Sequence, residues 1–241
     1  MANINTDDFS KFLLKLLQNS LPTDKYSKLL DIIKTFQNSF NHMSFFRFYA
    51  GAGRIFGNTL VRCESNLAAE CELSFDKAQF LSLWSNADMV RFVFLSLALE
   101  RLNEKESINF VDDIYTKGDL KEQISLLRSL CFLPEAGRFV DTAIEALRSN
   151  STIVFESIAC FNEYPYRYFP LLHFNQMVLK IIYLGIDIDY IFGLRERGSS
   201  ELIRALSDYV TERRSARRAV DLKVMNFLQY LEDNNLNTTG V

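Results

Sequence analysis

The residues best suited to chemistry lie between Asn162 and Arg218. If Leu172–Leu184 is helical, Phe174, Met177, Val178, Ile181 and Ile182 share one side. His173, Gln176, Lys180 and Tyr183 then fall within an arc of about 80° on the other, with Asn175 beside them. An imidazole, an amide, an amine and a phenol on one face can hold a ligand by hydrogen bonds or exchange protons with it. The same four residues can also form an ordinary solvated face.

Ser200–Arg214 divides in a similar way. Leu202, Leu206, Tyr209 and Val210 face inward, and Arg204, Asp208 and Glu212 form a ladder of alternating charge that stabilises an exposed helix. Arg213 projects on the Leu202/Leu206 side, where it must pair or reach past the apolar surface. Arg195, Arg197, Arg204, Arg213, Arg214, Arg217 and Arg218 make this region locally basic. They suit an anionic group or an acidic lipid surface, or they offset acids elsewhere in the chain. Between Asn162 and Pro170, Tyr164, Tyr166, Tyr168 and Phe169 either plug one end of a helical core or wall a pocket.

Arg91 sits among Val90, Phe92, Val93, Phe94, Leu95 and Leu97, in a helix that is apolar nearly all round. Such a helix is buried. A guanidinium there needs a carboxylate, a helix end or a ligand.

Other motifs carry less. Asp112-Asp113-Ile114-Tyr115-Thr116 resembles the aspartate-rich magnesium motif of terpenoid synthases, but it lacks the third acid and a second motif downstream, and reads better as a solvated helix end. Gly51, Gly53 and Gly57 have the wrong spacing for a dinucleotide loop and read as a connecting turn. Cys63, Cys71, Cys131 and Cys160 form no CxxC pair, so structural zinc is not expected and reduced thiols are. We assign no catalytic residue, metal or cofactor.

The elements that must position these groups are helices. The chain of 241 residues holds only nine Gly and four Pro, which favours long helices over many-turned β structure. Phe9, Phe12, Leu13, Leu16 and Leu17 predict a first helix capped by Thr6 or Asp7, and Thr23 is placed to cap a second. After Met43–Tyr49, residues 51–74 predict an extended connection with a short strand at Thr59–Cys63. Helices are expected at Asp76–Ser85, Ala87–Leu102, Glu104–Tyr115, Asp119–Cys131, Glu135–Arg148, Ser151–Cys160, Leu172–Leu184, Ile188–Phe192, Ser200–Arg214 and Leu222–Leu231. Pro165 and Pro170 keep Phe161–Pro170 from being helical throughout, and the tail at 232–241 is expected to fray. The fold class is all-α, and the short turns suggest an irregular α-solenoid or HEAT-like array of antiparallel pairs. One core of 75–231 joins the N-terminal helices at 1–50.

The net charge of −3 gives no overall reason to expect nucleic acid. Met89–Leu99, the most apolar stretch, contains Arg91 and falls short of the roughly 20 residues that span a bilayer. The opening residues MANINTDDFSKFLL lack a signal peptide's basic flank and cleavage site, so a cytoplasmic location is expected.

The same residues carry a family resemblance. Asn162–Pro165, Phe174-Asn175-Gln176-Met177-Val178-Leu179-Lys180, Gly185, Arg195, Asp208-Tyr209 and Glu212-Arg213 resemble the EboA family of metabolite traffic proteins. Trp84 to Arg91, Leu133-Pro134, Arg148-Ser149-Asn150 and Phe155-Glu156 match the same pattern, so the resemblance covers about Arg54 to Arg218. It implies a bacterial protein of the ebo gene cluster that supports export of secondary-metabolite precursors. Its implied partners are a small metabolite or other proteins of that cluster, a membrane prenyltransferase among them.

Two functions follow as expectations. The first is a non-catalytic helical adaptor or carrier that binds a metabolite or partner enzyme through Asn162, Tyr164, His173, Asn175, Gln176, Lys180, Arg204, Asp208 and Arg213, with Arg91 and Arg148 contributing from preceding helices. The second is an enzyme acting on a prenylated or cyclitol-like compound, with Lys180, His173, Tyr183 or Asp208 as acid or base.

Overall fold

A computed structural model describes residues 6–61 and 80–238 of the chain. It is all-α, with twelve α-helices among the described residues. They are α1 (Thr6–Ser20), α2 (Thr23–Asn38), α3 (His42–Phe56), α4 (Asn86–Leu99), α5 (Glu104–Lys117) and α6 (Leu120–Ser129), followed by α7 (Val140–Leu147), α8 (Thr152–Ala159), α9 (Tyr164–Tyr168), α10 (Leu171–Leu184), α11 (Ser200–Ser215) and α12 (Leu222–Thr238). The chain divides into two compact units, Met1–Ile158 and Ala159–Val241.

In the first unit α4 is the hub. All its side chains but Leu97 are buried, and α1, α2, α3 and α6 pack on it. A helix wrapped by four others differs from a row of stacked pairs, in which each repeat touches only its neighbours. Phenylalanine fills this core. Phe9 stacks on Phe132 at 4.0 Å and meets Trp84 and Phe92 edge-on, while Phe36, Phe45 and Phe94 form a second cluster. Ser85 and Asp88 close a capping box at the start of α4.

Several local expectations are corrected. The helix α3 runs through Gly51 and Gly53 instead of stopping before them, and ends at Gly57 with φ +88°. Burying Phe45, Tyr49, Ala52 and Phe56 along one stripe outweighs the roughly 1 kcal/mol that each helical glycine costs. The expected strand at Thr59–Cys63 is reduced, within the described residues, to one antiparallel bridge between Leu60 and Ser85. The rest of that connection, residues 76–79 of the expected Asp76–Ser85 helix, Cys63 and Cys71 lie outside the described residues, and from 80 to 85 only Phe80 and Leu81 are helical.

Thr6 is already helical, and its hydroxyl donates to the Phe132 carbonyl at 2.8 Å. Thr23 is the first residue of α2, where Pro22 takes the cap position without a side-chain bond. Glu135–Arg148 begins as a 3₁₀ turn at Ala136–Phe139 before α7, and Ile188–Phe192 contracts to a 3₁₀ turn at Ile188–Tyr190. The tail is helical to Thr238.

The second unit is built on α10, α11 and α12. Asn175 near the start of α10 meets Ser199 at the start of α11, and Tyr183 near its end meets Tyr209. The two helices therefore run in the same direction. Helix α12 returns antiparallel: Lys223 at its start meets Asp187 and Asp189, and Tyr230 lies under Arg195.

Candidate functional site

Pro165 does not break the segment between Asn162 and Pro170. It occupies the first turn of α9, where its missing N–H has no helical acceptor to lose, and Phe169 alone of the two residues preceding a proline is extended. Asn162 and Tyr164 are fully buried, with the Asn162 side-chain oxygen accepting from the Tyr164 N–H at 3.0 Å. Glu163 pairs with Arg167 at 2.5 Å. The aromatic segment thus packs as a plug, with Tyr164 against Tyr168 and Phe169.

Arg197 holds the plug. Its Nη1 donates to the Pro165 and Tyr166 carbonyls at 2.8 and 3.1 Å, its Nη2 donates to the Phe169 carbonyl at 2.8 Å, and its guanidinium lies over the Phe174 ring. The Pro165 carbonyl also takes the Phe169 N–H at 3.2 Å, so this one side chain adds a second donor there and supplies donors to the Tyr166 and Phe169 carbonyls at the end of α9. Gly193 allows the close approach: its φ is +67°, and a Cβ there would run into the Tyr166 ring.

On α10 the division into two faces is as the spacing predicts. Phe174, Met177, Val178, Ile181 and Ile182 are buried, while Gln176 and Tyr183 are exposed and His173 and Lys180 are half-buried. Asn175 is buried, and its Nδ2 donates to Ser199 Oγ at 3.0 Å. Its Oδ1 has no hydrogen-bond partner among the described residues; neither have His173 Nδ1 and Glu163 Oε1. Burial lowers the pKa of the Lys180 amine.

The family model for metabolite traffic protein EboA matches residues 9–229. The chain belongs to the EboA family. No curated protein and no solved structure matches it. The EboA match takes in the N-terminal helices, beyond the stretch from Arg54 that carried the resemblance.

Within this EboA chain the sequence-derived site residues separate by role. Arg91 and Arg148 belong to the first unit, and the other nine to the second. Arg91 is committed to structure: its Nε donates to the Tyr49 carbonyl at 3.0 Å and its Nη1 to Ser125 Oγ at 3.0 Å. Ser125 in turn donates to Asp88 in a very short hydrogen bond, so the acid that Arg91 needs is reached through a hydroxyl. Asp88 also accepts from the Ser85 N–H and Oγ, each at 2.8 Å, and faces Arg128 at 3.7 Å. Arg148 pairs with Glu145 on the surface at 2.6 Å. Arg213 donates twice to the Ala219 carbonyl, closing the turn after α11. Arg204 and Asp208 are exposed, and no ion pair joins them among the described residues. Asp113, of the aspartate pair, is engaged by Lys117 at 2.7 Å.

One cluster had no signal in the periodicity. Lys223 bridges Asp187 at 2.6 Å and Asp189 at 2.5 Å, beside a cavity of ≈ 30 Å³ lined by Ile182, Ile186, Tyr209 and Val224. Asp187 caps a 3₁₀ turn and Asp189 lies within it, and the lysine lies 34 residues beyond the second. Hydrogen bonding to Lys223 holds the Asp187 carboxyl below its ordinary range, and the two acids push the Lys223 amine up.

Proposed function

We propose that this EboA-family chain is a non-catalytic helical adaptor or carrier in metabolite traffic, and that the polar face of α10 is its binding element. The carrying observation is on that helix: His173 Nδ1 and Asn175 Oδ1 are buried without a partner among the described residues. Native proteins pair the great majority of such atoms, so unpaired ones on one helix suit a site completed by a ligand or an ordered water. Gln176 and Lys180 share the helix face of His173 and add a donor, an acceptor and an amine set in partly dry surroundings, while Asn175 lies on the flank toward Ser199. The family description supplies the traffic role. The proposed setting is the bacterial cytoplasm, with a secondary-metabolite precursor or another protein of the gene cluster as cargo or partner.

Affinity purification from the native host, with proteomics and metabolite analysis of the eluate, tests the reading. Retention of one metabolite or one protein, lost in Gln176→Ala and Lys180→Ala, is the expected result. An eluate with neither, or one unchanged by both substitutions, would sink it.

The lowered pKa of Lys180 favours one rival, an enzyme that uses this amine as a base on a prenylated or cyclitol-like intermediate. Turnover by the purified protein, abolished in Lys180→Ala, would replace the carrier reading.

A further inference from the structure

One end of the second unit gathers cations and apolar side chains that its packing leaves over. The parallel helices α10 and α11 both finish there, and α12 begins there, as the cavity shared by Ile182, Gly185, Tyr209, Asp221 and Val224 shows. Tyr183 and Leu184 close α10 at 63% and 46% exposure, and Leu222 opens α12 at 69%. Single exposed apolar residues are ordinary on a protein surface, but here three fall on helix ends that meet at one end of a small unit.

The turn joining α11 to α12 is basic. Four arginines fall in the six residues Arg213-Arg214-Ser215-Ala216-Arg217-Arg218, with no acid among them. Cations at a helix C-terminus complement its dipole and need no further explanation when they bind its carbonyls. Arg213 is engaged instead by the turn itself, through the Ala219 carbonyl. Arg214, Arg217 and Arg218 are exposed, and no carboxylate lies within ion-pair distance of them among the described residues. Of the acids at this end, Asp187 and Asp189 are drawn onto Lys223, and Asp221 accepts from the Lys223 N–H at 2.7 Å. Glu212 is the remaining exposed acid beside the turn.

Guanidiniums beside exposed leucine and tyrosine are the composition of an interfacial anchor. Arginine meets anionic headgroups, the tyrosine ring sits at headgroup level, and leucine enters the acyl boundary. The neighbouring cavity of ≈ 30 Å³ has room for about one water, which argues against an enclosed organic anion. We propose that this end of the unit docks on an anionic lipid surface, with Arg214, Arg217 and Arg218 on the headgroups and Tyr183, Leu184 and Leu222 at the acyl boundary. The proposal is independent of what the α10 polar face binds. It concerns peripheral contact, since no helix among the described residues is long and apolar enough to cross a membrane.

Sedimentation of the full chain with vesicles is the test. Binding is expected to vesicles of phosphatidylglycerol and phosphatidylcholine, not to phosphatidylcholine alone, and should weaken with salt. Arg214→Gln, Arg217→Gln and Arg218→Gln together should lower partitioning roughly a hundredfold, at about fivefold for each guanidinium. Far-UV circular dichroism checks that this variant folds. Leu222→Gln, a single exposed change, should weaken the binding that survives at high salt. The proposal is overturned if the chain ignores anionic vesicles, or if the triple variant folds and sediments like the parent. Binding to polyglutamate without binding to vesicles overturns it in favour of an acidic protein partner. Displacement by inorganic phosphate beyond that by chloride at equal ionic strength overturns it in favour of a discrete anion site.

Discussion

The Arg197 guanidinium stands over the Phe174 ring, 4.7 Å from its centroid, while its Nη atoms reach three carbonyls at the end of α9. A planar fork does both at once, and an ammonium does not. Arg197→Lys is therefore expected to destabilise the second unit by about 2 kcal/mol, through loss of charge-assisted hydrogen bonds and stacking. Amide exchange of residues 164–184 in the variant reads this directly. Protection equal to the parent's would show that the plug is held by something else.

Gly193 and Gly57 make a matched pair. Both have positive φ, but a Cβ at Gly57 meets nothing within 4 Å, whereas one at Gly193 collides with Tyr166. Gly57→Ala, at φ +88° and ψ 165°, should cost about 1–3 kcal/mol from backbone conformation alone. Gly193→Ala should cost that and about 1–3 kcal/mol more from overpacking. Urea midpoints of the two variants, compared side by side, decide the point; equal losses would mean that the Tyr166 ring moves aside freely.

The buried relay from Arg91 through Ser125 to Asp88 ties α4 to α6. Removing the guanidinium in Arg91→Met takes one donor from the Tyr49 carbonyl and one from Ser125 Oγ and leaves Asp88 less compensated, which should cost about 3–5 kcal/mol. Ser125→Ala, which cuts only the bridge, should cost about 1–3 kcal/mol. Trp84, the chain's single tryptophan, is buried in this unit and reports its unfolding by fluorescence. If the loss in the Arg91→Met/Ser125→Ala double variant equalled the sum of the two single losses, the relay would have no coupling.

The Lys223 bridge sets a pH window. Asp187 has a depressed pKa when folded, so its contribution holds above its unfolded value and fades as pH falls toward the folded one. Lys223 has a raised pKa when folded, so its contribution holds below its unfolded value and fades as pH rises through the folded one. The bridge is therefore at full strength between about pH 4 and about pH 10. Because its groups are exposed, salt should weaken it. Lys223→Met should speed amide exchange at residues 185–190 within that window and leave exchange at high salt nearly unchanged. A difference of equal size at low and high salt would contradict an electrostatic bridge.

Much of the helical layout was legible because burial follows periodicity. Every one of Phe9, Phe12, Leu13, Leu16 and Leu17 is buried in α1, and the two faces of α10 fall where 100° per residue puts them. Arg91 was legible as a buried charge in need of compensation. Its partners were not, since Tyr49 and Ser125 lie 42 and 34 residues away and the acid is reached only through a hydroxyl. Residue type misled where position within a turn decides the cost. Pro165 reads as a breaker and sits harmlessly in a first turn, and Gly51 reads as a stop inside a helix held by its aromatic stripe. Arg197 had a signal only as one arginine among seven, because the carbonyls it satisfies belong to no side chain.

The parallel course of α10 and α11 also bears on how the second unit assembles. Two antiparallel helices can zip together from the turn that joins them, but α11 must first be carried back along α10 before the two can meet. The fifteen residues from Gly185 to Ser199 make that return, and the Asn175–Ser199 bond closes it across 24 residues of chain. Loop-closure entropy must be met before packing rewards it. Contacts made by the returning strand of chain, those of Arg197 above all, are therefore placed to govern the folding rate of this unit, while the end that carries Arg217 and Leu222 is completed afterwards.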